Sequence, residues 1–311
     1  MNPEIVIQLV LYRDADFLPG LVHSLWTQRF RGFQVLALDN ADDEGTGERF
    51  LELFPEGELL RSEENLGYAG GHNFLLKRTL KMAPTFVVVM NTDVELHENF
   101  LKGLYDHMVS FPDVDACGPL ILEGHSHWTE KKVQNYRLFM DFPLSRKRSP
   151  DAGKILQSLK ELPVSANVDY LSGVALMFRT SVLRETGLWD EGLFLYREER
   201  DYFYRFARAG HLAMVTRQAI CRHLNHIRRS DATTWQQTYY YLRRNRVLYF
   251  RKYRFKKGLM LFLLQEGVQL PVSFFWCLRK GGIPMFYAWW LGIIHGLQGK
   301  TGKSWPVSER K

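Results

Sequence analysis

Cysteine is scarce in this sequence: Cys117, Cys221 and Cys277 are far apart and odd in number, which excludes a disulfide framework and fits reduced thiols in a cytoplasm. A secretory leader is not expected either. Glu4 precedes the first apolar run, Ile5 to Leu11, which is too short and has no cleavage site after it, so it reads as a strand. Internal repeats are absent, and the 46% hydrophobic and 24% charged composition excludes both disorder and a multi-span membrane protein. Acidic residues are outnumbered, 34 against 41 Lys and Arg, and the excess of +7 points to an anionic partner such as phosphate or anionic lipid.

What is present begins with alternating periods. Ile5 to Leu11 is apolar, Leu18 to Trp26 helical, Phe33 to Leu38 apolar and Gly47 to Leu53 helical. Then come Glu58 to Arg61 as a short strand, Gly71 to Lys81 as a helix and Thr85 to Met90 as a buried strand. This is a βαβα pattern, and it predicts a parallel sheet covered on both faces. Polar residues follow the strands: Tyr12-Arg13-Asp14, Asp39-Asn40 and Asn91-Thr92-Asp93. Ligands of open α/β sheets bind beyond the carboxyl ends of the strands, so these clusters are expected to converge. From about Glu130 to Ala166 the pattern loosens into a basic stretch with Pro and Ser, expected to be a mobile surface segment. Val168 to Phe178 reads as a strand, Glu198 to Ala209 as a helix, and Leu212 to Val215 and Ile220 to His223 as short strands.

Three segments carry chemistry. Asn65-Leu66-Gly67-Tyr68-Ala69-Gly70-Gly71-His72-Asn73 is a glycine-rich approach to a helix whose free N–H groups suit a diphosphate, although a tight connection explains many such turns. Asp93 closes a buried strand where a carboxylate can hold a divalent cation against phosphate oxygens. Glu198-Glu199 opens a helix after Trp189 to Arg197; a helix dipole accounts for such carboxylates, and sugar transfer needs one to take a proton from an acceptor hydroxyl.

In this order and spacing, with Ser172-Gly173 between them, the motifs resemble those of family 2 inverting glycosyltransferases, nearest the bacterial rhamnosyltransferase-like enzymes, over about Ile5 to Tyr253. The resemblance implies an α/β GT-A (Rossmann-like) nucleotide-diphospho-sugar transferase fold, a nucleotide-diphosphate sugar donor, Mg²⁺ or Mn²⁺, and inversion by direct displacement. It places Asp39 on the nucleobase, Gly70, Gly71 and Asn73 along the nucleotide with Thr92, and Asp93 on the metal, with Asn91 replacing the first Asp of the metal motif. Glu199 falls at the general-base position usually held by Asp, with Glu198 as the alternative. His223 is a candidate second metal ligand; Cys221, His223 and His226 lack a fourth ligand for zinc. L-rhamnose from dTDP-rhamnose is the candidate donor, and a membrane-linked glycan for cell-surface polysaccharide the candidate acceptor.

Two other classes use similar elements. A dinucleotide-dependent oxidoreductase would place its glycines after the first strand and leave Asp93 without a role. A non-catalytic nucleotide- or glycan-binding module would keep the fold and lose the base. An ATP-binding loop at Gly299 to Ser304 is excluded because Ile294 and Leu297 stand where its upstream glycine belongs.

The tail interleaves basic and aromatic residues over Arg243 to Lys257, then turns apolar at Gly258 to Leu278 and Ile283 to Leu297, with Trp276, Trp289 and Trp290 as expected interfacial anchors. That much apolar surface favours an anionic membrane over nucleic acid. Packing on the catalytic part, or on a second subunit in a homo-oligomer, is the competing reading. The expected organisation is a catalytic domain over 1–231, with halves at about 1–125 and 126–231, and a helical, membrane-facing extension over 232–311. The enzyme is expected on the cytoplasmic, inner face of the cell membrane.

Overall fold

The computed structural model describes residues 3–305 apart from 43, 125–127, 129, 130, 188, 225–231 and 281, so His226 lies outside the described residues. The chain opens with β1 (Ile5–Leu11), α1 (Leu18–Trp26), β2 (Phe33–Asn40), α2 (Thr46–Leu53), β3 (Glu58–Ser62), α3 (Gly67–Met82) and β4 (Phe86–Met90). β1 lies between β2 and β4, parallel to both, and its Val, Ile and Leu residues other than the half-buried Val10 are buried because helices cover both faces. Leu11 pairs with Asp39, and Asp39 with Arg61, so the strand-ending polar residues gather at one end of the sheet.

The middle of the chain widens this sheet. β5 (Val94–Leu96), α4 (Phe100–Ser110), β6 (Ala116–Glu123), β7 (Val133–Asn135), β8 (Phe139–Asp141), β9 (Arg146–Arg148), β10 (Ser165–Val168), β11 (Ala175–Arg179), α5 (Thr180–Glu185), α6 (Glu198–Arg208) and β12 (Ala213–His223) follow. The order is β10-β12-β6-β11-β4-β1-β2-β3, with β5 joined to β12 and β7 to β6; β8 and β9 form a separate hairpin. β11 enters antiparallel between β4 and β6. The expected strand from Val168 to Phe178 is thus two strands with Ser172-Gly173 in the turn, and the two short strands near residue 220 are one, β12, with a bulge between Thr216 and Ile220.

The stretch after Glu130 is a further correction. Tyr136, Leu138, Leu156 and Leu162 are buried in the second core cluster, and the fully buried Asp151 is clamped by Arg137 at 2.7 and 2.8 Å and by Lys154 at 2.8 Å. Tyr136, Leu138 and Met140 alternate along the chain and are buried, a strand-like period too short to stand out among the basic and turn-forming residues around it.

The C-terminal helices are α7 (Ala232–Lys252), α8 (Lys256–Val268), α9 (Leu270–Lys280) and α10 (Gly282–Gln298). α10 crosses α7 closely enough that a Cβ on Gly292 would stand 2.4 Å from the Tyr240 carbonyl oxygen. Of the basic run, Arg243, Arg244 and Arg246 turn inward, while Arg251, Lys252, Arg254, Lys256 and Lys257 stay exposed. Arg244 is fully buried and donates to Gly302 O at 2.6 Å and Leu193 O at 2.8 Å; Arg243 pairs with Glu266 at 3.2 Å and lies 3.4 Å over the Trp289 ring. Trp289, expected as an interfacial anchor, is instead buried and donates to Glu266 at 2.6 Å, while Trp276 and Trp290 are half-buried against the same cluster. What the helices expose instead is Met260, Leu264, Val268, Val272, Phe275, Ile283 and Tyr287.

α7 also grips the loop that precedes α6. The Asn245 amide donates to the carbonyls of Leu193 at 2.9 Å, Leu195 at 2.7 Å and Tyr196 at 2.8 Å. Asn245→Ala would leave these buried acceptors short of a donor and is expected to lower the unfolding free energy by about 2 kcal/mol. Urea titration checks this; an unchanged midpoint would mean that other contacts hold the loop.

Candidate functional site

Asp39 ends β2 and is nearly buried, held at 2.8 Å by the Arg61 guanidinium from the neighbouring strand end and accepting at 3.0 Å from the Asp42 amide. Beside it, Asn40 Oδ1 accepts from the Leu66 amide at 2.8 Å, and Asn65 Oδ1 accepts from the Gly67 amide at 2.9 Å. These bonds start α3 at Gly67, four residues earlier than the sequence pattern suggests. Gly67 has φ of +68°, and a Cβ there would stand 2.3 Å from the Phe194 carbonyl oxygen, so only glycine fits. Gly70 and Gly71 lie within the helix. Gly71 lets it settle on β1, since its Cβ would be 2.8 Å from Val10. Asn73 is buried; its amide donates to Trp189 O at 3.0 Å and Glu191 Oε1 at 2.7 Å, and its Oδ1 accepts from the Trp189 amide at 3.0 Å. Gly71 and Asn73 thus anchor α3 against β1 and against the loop before α6.

The next group forms where β5 pairs with β12. Asp93 precedes β5 and His223 ends β12; Val94 is in register with His223, which brings His223 Nε2 to 3.1 Å from Asp93 Oδ2. The Gln134 side-chain amide lies 3.0 Å from His223 Nδ1 and fixes the ring from behind. Thr92 donates to Asp14 Oδ2 at 2.7 Å, tying this turn to the end of β1. Among the described residues no third His, Cys, Asp or Glu joins Asp93 and His223. A donor set of one carboxylate and one imidazole fits a divalent ion that completes its shell with phosphate oxygens and water, and does not fit a closed structural zinc site.

The carboxylate pair lies beyond a strained loop. Phe194, Tyr196 and Arg197 all have positive φ, 63°, 66° and 72°, and they turn the chain sharply into α6. Phe194 O accepts from the Tyr68 amide at 3.0 Å, while Tyr68 OH donates to Gly173 O at 2.8 Å, so Gly67-Tyr68, Ser172-Gly173 and the start of α6 meet. Glu198 is buried and its Oε2 has no hydrogen-bond partner; desolvation first, and the charge of Glu199 second, push its pKa up to about 8. At neutral pH Glu198 is thus mainly protonated. Glu199 is more open and lies near enough to Arg197 and Lys147 to offset part of their charge.

The structure therefore joins Asp93 to His223 and sets Glu198 and Glu199 beside Tyr68. Several partners were missed. Arg61 was legible in principle, as a charge closing the strand next to Asp39. Gln134 was hidden in the stretch taken as mobile, and Glu191 and Asn245 carry no local signal. The Gly299 to Ser304 segment acts as a strap: the Gly302 amide donates to Gly192 O at 2.7 Å.

A profile described as Glycosyl transferase family 2 matches residues 7–187, more than half of the 311-residue chain. The chain is 28% identical over 236 residues to the N-acetylglucosaminyl-diphospho-decaprenol L-rhamnosyltransferase of Mycobacterium tuberculosis, covering 72% of this chain and 76% of that protein. Among solved structures, the fold matches the mannosyltransferase PcManGT from Pyrobaculum calidifontis in complex with GDP-Man and Mn²⁺, with a TM-score of 0.55, 13% identity, and coverage of 96% of this chain and 88% of that one. It also matches GalNAc-T7 with UDP, GalNAc and Mn²⁺, with a TM-score of 0.58, 13% identity, and coverage of 77% of this chain and 47% of that one. A profile match of that length, on a sheet whose strand ends carry these polar groups, fixes the lineage: the chain belongs to glycosyltransferase family 2 and is a GT-A glycosyltransferase.

Proposed function

We propose that the enzyme transfers a sugar, with inversion, from a nucleoside-diphosphate donor to a glycan carried on a lipid diphosphate at the inner face of the cell membrane. The observation that carries this reading is the approach of Asp93 and His223 to 3.1 Å at the phosphate end of the sheet, on the same fold as transferases solved with Mn²⁺. The rhamnosyltransferase name of the mycobacterial relative supports L-rhamnose from dTDP-rhamnose as donor and a diphospho-lipid sugar as acceptor. In this reading Asp39 holds the nucleobase, Thr92 and Asp93 face the diphosphate, and Gly70, Gly71 and Asn73 shape the wall along the nucleotide. Asp93 and His223 would hold Mg²⁺ or Mn²⁺, which neutralises charge on the departing diphosphate; the imidazole favours Mn²⁺. Glu199 takes the acceptor hydroxyl's proton as that oxygen attacks the anomeric carbon and the bond to the donor diphosphate breaks. Glu198, kept protonated, spares Glu199 a second negative charge alongside.

Membrane contact rests on the exposed apolar stripe of α8 to α10. Met260, Leu264 and Val268 recur every fourth residue on one face of α8, and Val272 and Phe275 continue the surface on α9. Among the described residues no single helix is long and apolar enough to cross a membrane, although α8 and most of α9 together pass that test as a pair bent by 62°. Shallow, one-sided insertion suits this geometry. The three unpaired cysteines, all buried, suit a reducing compartment.

Nucleoside-diphosphate binding is expected to be strengthened by Mn²⁺ and to lose that gain in Asp93→Ala, while Asp39→Ala weakens it with or without metal. Calorimetry reads both; unchanged metal dependence without Asp93 would remove the metal assignment.

Glu199→Gln is expected to keep donor affinity and to slow transfer about a hundredfold, whereas Glu198→Gln costs less activity and stabilises the fold. Glu198 ionises above its ordinary value near 4.5 when unfolded but only above about 8 when folded, so its contribution falls as pH rises between those values. The Gln variant escapes this loss, and its melting temperature should pull ahead of the wild type from pH 5 to pH 8. Wild-type transfer in Glu199→Gln together with a dead Glu198→Gln would move the base to Glu198.

Full-length protein is expected to float with anionic liposomes, and Leu264→Glu with Phe275→Glu to release it. A folded wild type that ignores such vesicles at low salt, and associates with itself through this face, would make the stripe a subunit contact.

A further inference from the structure

Four cations gather where β9, the start of α6 and the middle of α7 meet. Arg197 precedes α6, Arg200 stands in its first turn, Arg246 comes from α7 and Lys147 from β9. Their fixed contacts are with neutral acceptors. Arg197 Nε donates to Leu242 O at 2.9 Å and its Nη1 to Ser145 Oγ at 3.3 Å; Arg246 Nη2 donates to Leu144 O at 3.4 Å, and Lys147 Nζ to Asn135 Oδ1 at 3.1 Å. The Nε atoms of Arg200 and Arg246 are buried without any hydrogen-bond partner. Among the described residues no carboxylate forms an ion pair with any of the four, in contrast to Arg205, Arg243 and Lys252 nearby, which pair with Asp201, Glu266 and Asp190. Desolvation, and after it the charge of Arg200, lowers the proton affinity of Arg197, Lys147 and Arg246, the last to about 10.

Cations held this way are destabilising until an anion joins them. Planar guanidinium groups from different directions match phosphate oxygens. The donor's diphosphate, in the reading above, has its own provision at Asp93, just before β5, and His223, at the end of β12, and these share no element with the cluster. The cluster instead shares α6 with the carboxylates proposed to deprotonate the acceptor. Its outer side also meets α8, where the Arg246 guanidinium lies 4.6 Å from the Phe262 ring, on the helix that exposes Met260 and Leu264.

We propose that Arg197, Arg200, Arg246 and Lys147 form the seat of the diphosphate that joins the acceptor sugar to its lipid. The assignment rests on the lipid-linked acceptor proposed above. An anion bound here would bring the sugar next to Glu199 while its hydrocarbon chain leaves along α8 toward the apolar stripe.

Calorimetry on the full chain tests it with two probes: farnesyl diphosphate without a nucleotide, and a nucleoside diphosphate with Mn²⁺. Arg200→Gln and Arg246→Gln are expected to weaken farnesyl diphosphate about tenfold or more and to leave the nucleoside diphosphate unchanged, with Arg200→Lys recovering part of the loss. Lys147→Gln, on the exposed hairpin, repeats the test where the fold is not at stake. Wild-type protein that does not bind farnesyl diphosphate, or variants that bind it normally, would overturn the proposal. So would an equal loss of nucleoside diphosphate, which would hand the cluster to the donor. Turnover is measured separately: failure to consume any nucleotide sugar would sink the enzymatic reading, while the calorimetry would still decide whether this cluster takes a lipid diphosphate.

Discussion

The site depends on how the loop from Asp190 to Arg197 is held. Three of its residues have left-handed backbone angles, each costing on the order of 1–3 kcal/mol for a side chain other than glycine. Within the loop the hydrogen bonds are those of short turns, such as Phe194 N to Glu191 O at 3.1 Å and Leu195 N to Leu193 O at 2.8 Å. The stabilisation comes from outside: Asn245 and Arg244 of α7 satisfy its carbonyls, Asn73 of α3 brackets Trp189, and the Gly302 amide caps Gly192. Because Phe194 O bonds the Tyr68 amide across a gap that admits only a glycine at residue 67, the loop also fixes the start of α3. Both carboxylates follow the last strained residue directly, so their position is set by a helix that begins more than thirty residues later.

That dependence explains what the sequence could and could not disclose. The β1 to β4 sheet was legible because buried parallel strands read as unbroken apolar runs and because polar residues must follow where a ligand binds. Asp93 and His223 were each nameable, but their approach requires the β5–β12 pairing, which no local pattern announces. The glycines of α3 were read as a phosphate cradle. Spacing alone does not distinguish a backbone that approaches a ligand from one that approaches Val10, and for Gly71 the second is observed. Arg243 and Arg244 looked like a basic surface because composition gives no direction, whereas the partners that turn them inward, Glu266 and the carbonyls of residues 192 and 193, are distant in sequence.

Charge in this molecule is sorted by depth rather than by segment. α8 and α9 expose Met260, Leu264, Val272 and Phe275 between the exposed Lys256, Lys257 and Arg279, while Arg243, Arg244 and Arg246 of α7 are turned inside. Here the apolar stripe is outermost, and Arg246, Arg200 and Arg197 sit behind it, toward the carboxylates. In the proposed acceptor site, that sequence from outside to inside, apolar, cationic, then carboxylate, would follow the order of parts in a lipid-diphosphate sugar read from its tail. One approach direction can therefore satisfy all three layers, and a free sugar or a lipid without phosphate would leave the middle layer unpaired.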